Sequence, residues 1–290
     1  MMDPNQQLDK QAMAELKFHR DSMRHSAAHI MADAVKTLFP SVKIGIGPST
    51  DDGFYYDFET PRPFTPEDLE TIEKTMEGII KGDSPFQREL ISRDAAKKVF
   101  SDQPYKLEII EDISEHEQIS IYRHGDFVDL CKGPHVESTG NIIAFKLLSI
   151  AGAYWKGDEN RTPMLQRIYG TAFESKDSLS SHIDLLEQAD LRDHRKLGRK
   201  LDLFSIHDEI GPGLVVWHPK GGRLRSIIQD YWHNLHLQHE YETVYSPHLG
   251  KSNLWETSGH LDFYSENMYS PMDLDGQGYY IKPMNCPFHI

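Results

Sequence analysis

The sequence predicts an α+β protein: a domain of mixed and antiparallel sheet with helices, a long linker helix, and the beginning of a second antiparallel-sheet domain. Three observations lead there. Hydrophobic periodicity changes from helical to alternating at Lys43. Five strand-like runs between Tyr105 and Tyr169 are segregated from the helical patterns on either side, which is an α+β order. The third is a composition shift at Ser175–Lys200, a mostly polar helical stretch. These divide the chain into a lead-in (1–20), a first domain (21–173), a linker helix (174–200) and a second domain (201–290).

The first firm helix is expected to start at Asp21 or Ser22, its cap residues, and to end before Pro40. Ile30, Met31, Ala34, Val35 and Leu38 form its apolar face, and His25 and His29 sit in its first turns. Ile44 and Ile46, a turn at Asp51–Gly53, and then Phe54, Tyr56 and Phe58 read as a hairpin. Tyr56 carries a hydroxyl that needs a partner if buried. Thr65-Pro-Glu-Asp68 opens the next helix with a cap, a proline and first-turn acids, and Gly82 closes it. After a short helix near Asp94–Phe100 come the strand-like runs Tyr105–Ile110, Ile119–Tyr122, Phe127–Leu130, Ile143–Ser149 and Met164–Tyr169. Beyond residue 200 the pattern predicts a strand at Leu214–Trp217, a helix over about 223–239, a strand at Thr243–Tyr245, a helix-turn region near 254–260 and a last strand-like run at Tyr279–Met284. A domain that stops just past a strand reads as a truncation.

Hydrophobic residues make up 38% of the 290, enough for real cores and against global disorder. Two cysteines far apart are no disulfide framework, so a reducing cytoplasmic compartment is expected. The polar start has no apolar run and no stretch approaches 18 apolar residues, which argues against a signal peptide and a membrane span. A net charge of −14 argues against nonspecific coating of nucleic acid. The main basic exception is Arg192-Asp-His-Arg-Lys-Leu-Gly-Arg-Lys200, with five cationic residues in nine.

Two short pieces concentrate the chemistry. His25 and His29 are four apart and share one helix face. Cys131 and His135 flank Gly133-Pro134, a tight turn that can aim both side chains at one point, and Asp129 lies two residues before the thiol. Three imidazoles and a thiol make either a divalent-metal site or a general acid/base cluster.

Longer motifs surround these residues. His25-Ser-Ala-Ala-His29, Asp52-Gly-Phe-Tyr-Tyr-Asp57, Asp129-Leu-Cys-Lys-Gly-Pro-His135, Gly152-Ala-Tyr-Trp-Lys-Gly-Asp158 and Gln166-Arg-Ile-Tyr-Gly-Thr171 together resemble the editing domain of the bacterial threonyl-tRNA synthetase family. Asp193 to Phe204 looks like that family's approach to its catalytic domain. Tyr245-Ser-Pro247 and Leu254-Trp-Glu-Thr-Ser-Gly-His260 resemble the first class II motif and its sequel, and Lys282-Pro-Met-Asn-Cys-Pro287 resembles the segment bearing the first zinc ligand. The likeness is in register from about Arg24 to the last residue. It departs from the family in having only about 20 residues where a ubiquitin-like domain usually precedes, and in Phe288 where glycine is common. The second and third class II motifs, two further zinc-ligand histidines and the anticodon-binding domain are absent from the sequence.

The resemblance implies an ATP- and magnesium-dependent threonine–tRNA ligase, a homodimer in its full form, with hydrolytic editing of mischarged seryl-tRNA. Of these activities this chain is expected to keep the editing part. A zinc ion that ligates the threonine hydroxyl rejects valine, whereas serine differs by one methyl worth about 1–3 kcal/mol and needs a second, hydrolytic site. The residues implied for that site are His25, His29, Cys131 and His135 with Tyr56, Lys106 and Asp129 beside them. Spacing alone favours zinc among these donors, and alanyl-type editors bind it there, but the resemblance implies a site that works without a tightly held ion. Cys286 is implied as the first ligand of the separate catalytic zinc. Arg192, Arg195, Lys196, Arg199 and Lys200 are expected to face the tRNA acceptor arm. A freestanding trans-editing deacylase is the alternative, and it would end after the first domain.

Overall fold

The computed structural model describes residues 4–159 and 163–289, with the side chains of residues 4–13 excepted. Backbone packing divides the chain into two compact units, residues 1–191 and 192–290. No described helix is long and apolar enough to cross a membrane.

Residues 1–191 are built on α1 (Pro4–Leu38). The helix does not begin at Asp21 or Ser22, as the cap residues predict. Ser22 Oγ instead bonds back to Phe18 O at 2.9 Å, the interior alternative open to a serine hydroxyl. Its apolar stripe packs on an antiparallel sheet of order β1 (Lys43–Ile44), β2 (Phe54–Glu59), β7 (Leu165–Phe173) and β6 (Ala144–Ala153). Met23, Ala27, Ile30, Met31 and Val35 meet Phe54, Phe58, Ile168 and Ala172 there, all buried. α2 (Pro66–Lys81), with the expected Thr65–Asp68 capping box, closes this core with Ile72 and Met76.

A second antiparallel sheet has the order β3 (Gln87–Ile91), β4 (Ile119–His124), β5 (Phe127–Leu130). The sequence reading misses β3 because it is an edge strand with no apolar face, exposed at four of its five residues. Between β3 and β4 lie α3 (Arg93–Val99) and α4 (Pro104–Asp112). α4 corrects the strand predicted at Tyr105–Ile110. Pro104 occupies its first turn, and Tyr105, Lys106 and Ile110 are buried together at a helical spacing that a short window also fits as alternation.

The stretch expected as one linker helix is two: α5 (Lys176–Leu191) and α6 (His194–Lys200). Asp193 breaks it by capping α6, its Oδ1 accepting from Arg195 N at 2.8 Å.

Residues 192–290 contain α6, the ribbon β8 (Phe204–Ile206) with β9 (Val215–Trp217), and α7 (Pro219–Gln238). Then come β10 (Leu249–Lys251), α8 (Ser252–Thr257), α9 (His260–Tyr264), β11 (Met272–Leu274), β12 (Gln277–Ile281) and α10 (Cys286–His289). The sheet order is β10-β12-β11, antiparallel. Thr243–Tyr245, expected as a strand, pairs with none and is exposed. Trp255 is fully buried, while Ile227, Ile228, Tyr231 and Trp232 on α7 are each more than half exposed.

Candidate active site

α1 and the segment after β5 bring His25, His29, Cys131 and His135 together, with one ligand atom of each lying within 4.8 Å of the others. The i, i+4 spacing stacks the two α1 imidazoles along the helix face, ring centroids 5.1 Å apart. The turn that returns His135 needs Gly133: φ is +80°, and a Cβ there would lie 2.4 Å from the Tyr122 hydroxyl oxygen. Cys131 Sγ sits 3.2 Å from both His25 Nε2 and His135 Nε2 and accepts from Gly133 N at 3.1 Å.

Hydrogen bonds on the far side of two of the rings, His25 and His135, define their tautomers. His25 Nδ1 is 3.2 Å from Pro134 O, which only accepts, so Nδ1 carries the hydrogen. His135 Nδ1 is 3.0 Å from Ser26 Oγ. That hydroxyl already gives its proton to Ser22 O at 2.8 Å and accepts from Val136 N at 3.0 Å, so His135 Nδ1 donates to it. Both Nε2 lone pairs therefore face the thiol. One S–H can satisfy only one of them, and the other is free to accept a proton.

Beside this cluster runs a buried polar network. Asp129, at the end of β5, accepts from the Tyr56 hydroxyl at 2.5 Å and from Leu130 N at 2.7 Å, and ion-pairs with Lys106. Lys106 Nζ also donates to the Tyr56 hydroxyl at 2.9 Å. Lys106 is 2% exposed and Asp129 1%, so neither charge has water to fall back on. His29 Nε2 stands 3.5 Å from Asp129 Oδ2 and links cluster to network. Gly47 packs against the Tyr56 ring, where a Cβ would come within 2.1 Å of it. A cleft of about 530 Å³ opens onto these groups, lined also by Ile46, Pro48 and Lys132.

Burial sets the proton states. It holds His25 below the usual imidazole range and His29 and His135 far below it, the neighbouring imidazoles adding to the effect at the last two. Burial pushes the Cys131 thiol up to about 12, outweighing the Gly133 N–H that favours its thiolate. It also raises the Tyr56 hydroxyl, helped by Asp129. The cluster at neutral pH is thus three neutral bases around a protonated thiol.

All seven residues predicted for the first-domain site lie in or beside this one cleft. Sequence reasoning missed Ser26 and the Pro134 carbonyl, which orient the rings, and His124, which packs behind them. The remaining predicted residues lie in residues 192–290: Arg192, Arg195, Lys196, Arg199 and Lys200 are all exposed, with Arg195 tied to Asp193 at 2.7 Å, and Cys286 begins α10.

The two thiols should react very differently, because the thiolate is the nucleophile. Cys286 is exposed and Cys131 is buried with its proton held. Alkylation with iodoacetamide at pH 8, followed by peptide mass spectrometry, should label Cys286 at least about tenfold faster. Equal or faster labelling of Cys131 would mean that the cleft stabilises a thiolate.

The sequence also matches known proteins. Residues 119–169, from β4 into β7, match the family described as threonyl and alanyl tRNA synthetase second additional domain. A threonine–tRNA ligase of Dehalococcoides mccartyi is 59% identical over 268 residues, 92% of this chain and 46% of that one. The chain is similar to the threonine–tRNA ligases. A second such ligase, from Nitrosococcus oceani, is 51% identical over 297 residues, covering 100% of this chain and 46% of its own length, so the likeness to threonine–tRNA ligases runs through both units. The chain spans about half the length of these relatives. A solved RNA binding domain of threonyl-tRNA synthetase from Cryptosporidium parvum is 40% identical over 34% of this chain and 24% of that one, with a TM-score of 0.32.

Proposed function

We propose that residues 1–191 hydrolyse the ester of serine on mischarged tRNA, and that the chain carries the editing part of a cytoplasmic threonine–tRNA ligase. The observation that carries this reading is the free imidazole lone pair beside a protonated thiol, in a cleft whose floor is the Lys106–Asp129–Tyr56 network. A thiol held to about 12 is a poor nucleophile, so water is the attacking group. His25 or His135 takes the water proton at Nε2 as oxygen bonds to the ester carbonyl carbon. Lys106, at the floor, donates to the developing oxyanion, and Asp129 holds the serine ammonium. The ribose oxygen then leaves and takes the proton back from the imidazole, releasing serine and tRNA with a free terminal hydroxyl.

The donor set also fits a divalent ion such as zinc: four nitrogen and sulfur ligands converge, and two of the rings are fixed from behind by Pro134 O and Ser26 Oγ. His25, His29, Cys131 and His135 would hold it, and bound there it would supply a water of lowered pKa. Our reading keeps the reaction on the side chains, since every role already has an occupant.

Of residues 192–290 we propose that Arg192, Arg195, Lys196, Arg199 and Lys200 contact the acceptor arm. Cys286 is proposed as one of three ligands of the catalytic zinc in a longer, homodimeric protein that also takes threonine and magnesium-bound ATP. A freestanding deacylase is the weaker reading, because the relatives' similarity continues through residues 192–290.

One preparation of the chain tests the proposal. Seryl-tRNA ester release is expected well above the uncatalysed rate, threonine-dependent pyrophosphate exchange at background, and zinc well below one per chain. Absent ester release overturns the hydrolytic reading. Exchange above background means that the synthetic site is present, and stoichiometric zinc lost on Cys131→Ala overturns the metal-free one.

A further inference from the structure

His124 belongs to none of the groups above. It ends β4, is 2% exposed, and its Nε2 lies 3.2 Å from Asp33 Oδ2. Asp33 stands one turn along α1 from His29, as His29 stands one turn from His25, so the carboxylate continues the same helix stripe. The His124 ring packs on Phe86 at 4.9 Å and on Phe127 at 5.2 Å between centroids. Phe86 in turn lies parallel to His135, 4.8 Å away with planes 7° apart, and Phe127 meets the His29 ring edge-on at 6.4 Å. One imidazole outside the cluster thus touches two of the aromatic rings that back its members, Tyr122 being a third, 4.4 Å from His135.

Packing alone does not call for histidine here. A phenylalanine would fill the space without burying a nitrogen, whereas His124 Nδ1 is buried with no partner among the described residues. What the imidazole adds to a flat ring is the N–H that it gives to Asp33, anchoring β4 to α1. We propose that His124 is a positioning residue for the cluster: held by Asp33, it fixes the Phe86 ring, and through that stack the plane of His135. A stack fixes the plane of the His135 ring and Ser26 fixes its tautomer. With both in place, the Nε2 lone pair is aimed at the Cys131 thiol. The inference rests on the hydrolytic reading for its consequence in rate, and on geometry alone for its consequence in the ring.

Three variants of the full chain separate the parts. His124→Phe keeps the flat ring and removes the anchor, His124→Asn keeps a donor and removes the ring, and Asp33→Asn keeps the shape of the helix while weakening the anchor. None of these residues lines the cleft, so KM for seryl-tRNA is expected to hold while kcat falls about tenfold in both His124 variants and less in Asp33→Asn. Two-bond proton–nitrogen spectra of His135 supply the readout that mere destabilisation would not move. A ring released from that plane also leaves Ser26 Oγ, so where the wild-type ring should show one tautomer with hydrogen on Nδ1, the His124 variants should shift toward a tautomer average. Wild-type His135 nitrogen shifts in a folded His124→Phe and His124→Asn overturn the proposal. If one His124 variant fails to fold, the other and Asp33→Asn decide it by the same spectra. A wild-type chain that releases no serine overturns the hydrolytic reading instead, and the spectra still decide the positioning role.

Discussion

Lys106→Met is expected to cost residues 1–191 about 3–5 kcal/mol, the range found when one partner of a buried ion pair is removed. The reason is what stays behind. Asp129 is 1% exposed and keeps only the Tyr56 hydroxyl, Leu130 N and a distant His29 nitrogen as donors once the ammonium is gone. The Tyr56 hydroxyl also loses the donor it accepts from. Replacing both charges, as Lys106→Met with Asp129→Leu, should recover a good part of the loss, because the interior then holds no unpaired charge. Hydrogen exchange is the suitable measurement, since it reads α4, β2 and β5 without assuming that the two units unfold together. The single substitution should speed exchange in those elements by about two to four powers of ten, and the double less. A double that costs as much as both singles added would show that the pair is not coupled. Either substitution should abolish ester release, so stability and not activity is the discriminating readout.

The difference between what was and was not legible in the sequence follows from how far each signal reaches. His25 and His29 could be placed on one face because four-residue spacing has a fixed geometric meaning in a helix. Cys131 and His135 could be placed on a turn because Gly133 supplies a backbone conformation that other residues avoid. That Tyr56 needs a hydrogen-bond partner was also legible, but its partners come from elements 50 and 73 residues away, and no local pattern names them. Lys106 was assigned to a strand because Tyr105–Ile110 fits two periods over six residues, and Pro104 decides between them. Ser22 misled in the opposite way, since a hydroxyl that can cap a helix can equally bond back within one. His124 carries no sequence signal at all. It is one histidine among 16, and only the fold puts it behind the Phe86–His135 stack.

Stability should fall steeply on acidification below about pH 6.5, while the hydrolytic rate per folded molecule stays flat. In the folded chain His25, His29 and His135 are all held below the ordinary imidazole value of 6.5 by burial. Below that value the unfolded chain binds protons that the folded chain refuses, so the unfolded state gains and stability drops as pH falls. Each imidazole contributes up to about 1.4 kcal/mol per pH unit. Three together set a ceiling of about 4 kcal/mol between pH 6.5 and pH 5.5. Cys131 adds nothing in this window, since its thiol stays protonated in both states until the pH approaches 9. The same depressed values keep the lone pairs at Nε2 available, so a pH–rate profile taken where the chain is still folded should lack the acid limb that an ordinary histidine base shows near 6.5. Urea midpoints between pH 7.5 and 5.5 measure the first expectation and ester release the second. His29→Gln and His135→Gln together should remove about two thirds of the acid sensitivity, leaving the share of His25 and of groups elsewhere. An unchanged slope in that double variant would mean that the cluster already carries its protons when folded, which would also deprive the attacking water of its base.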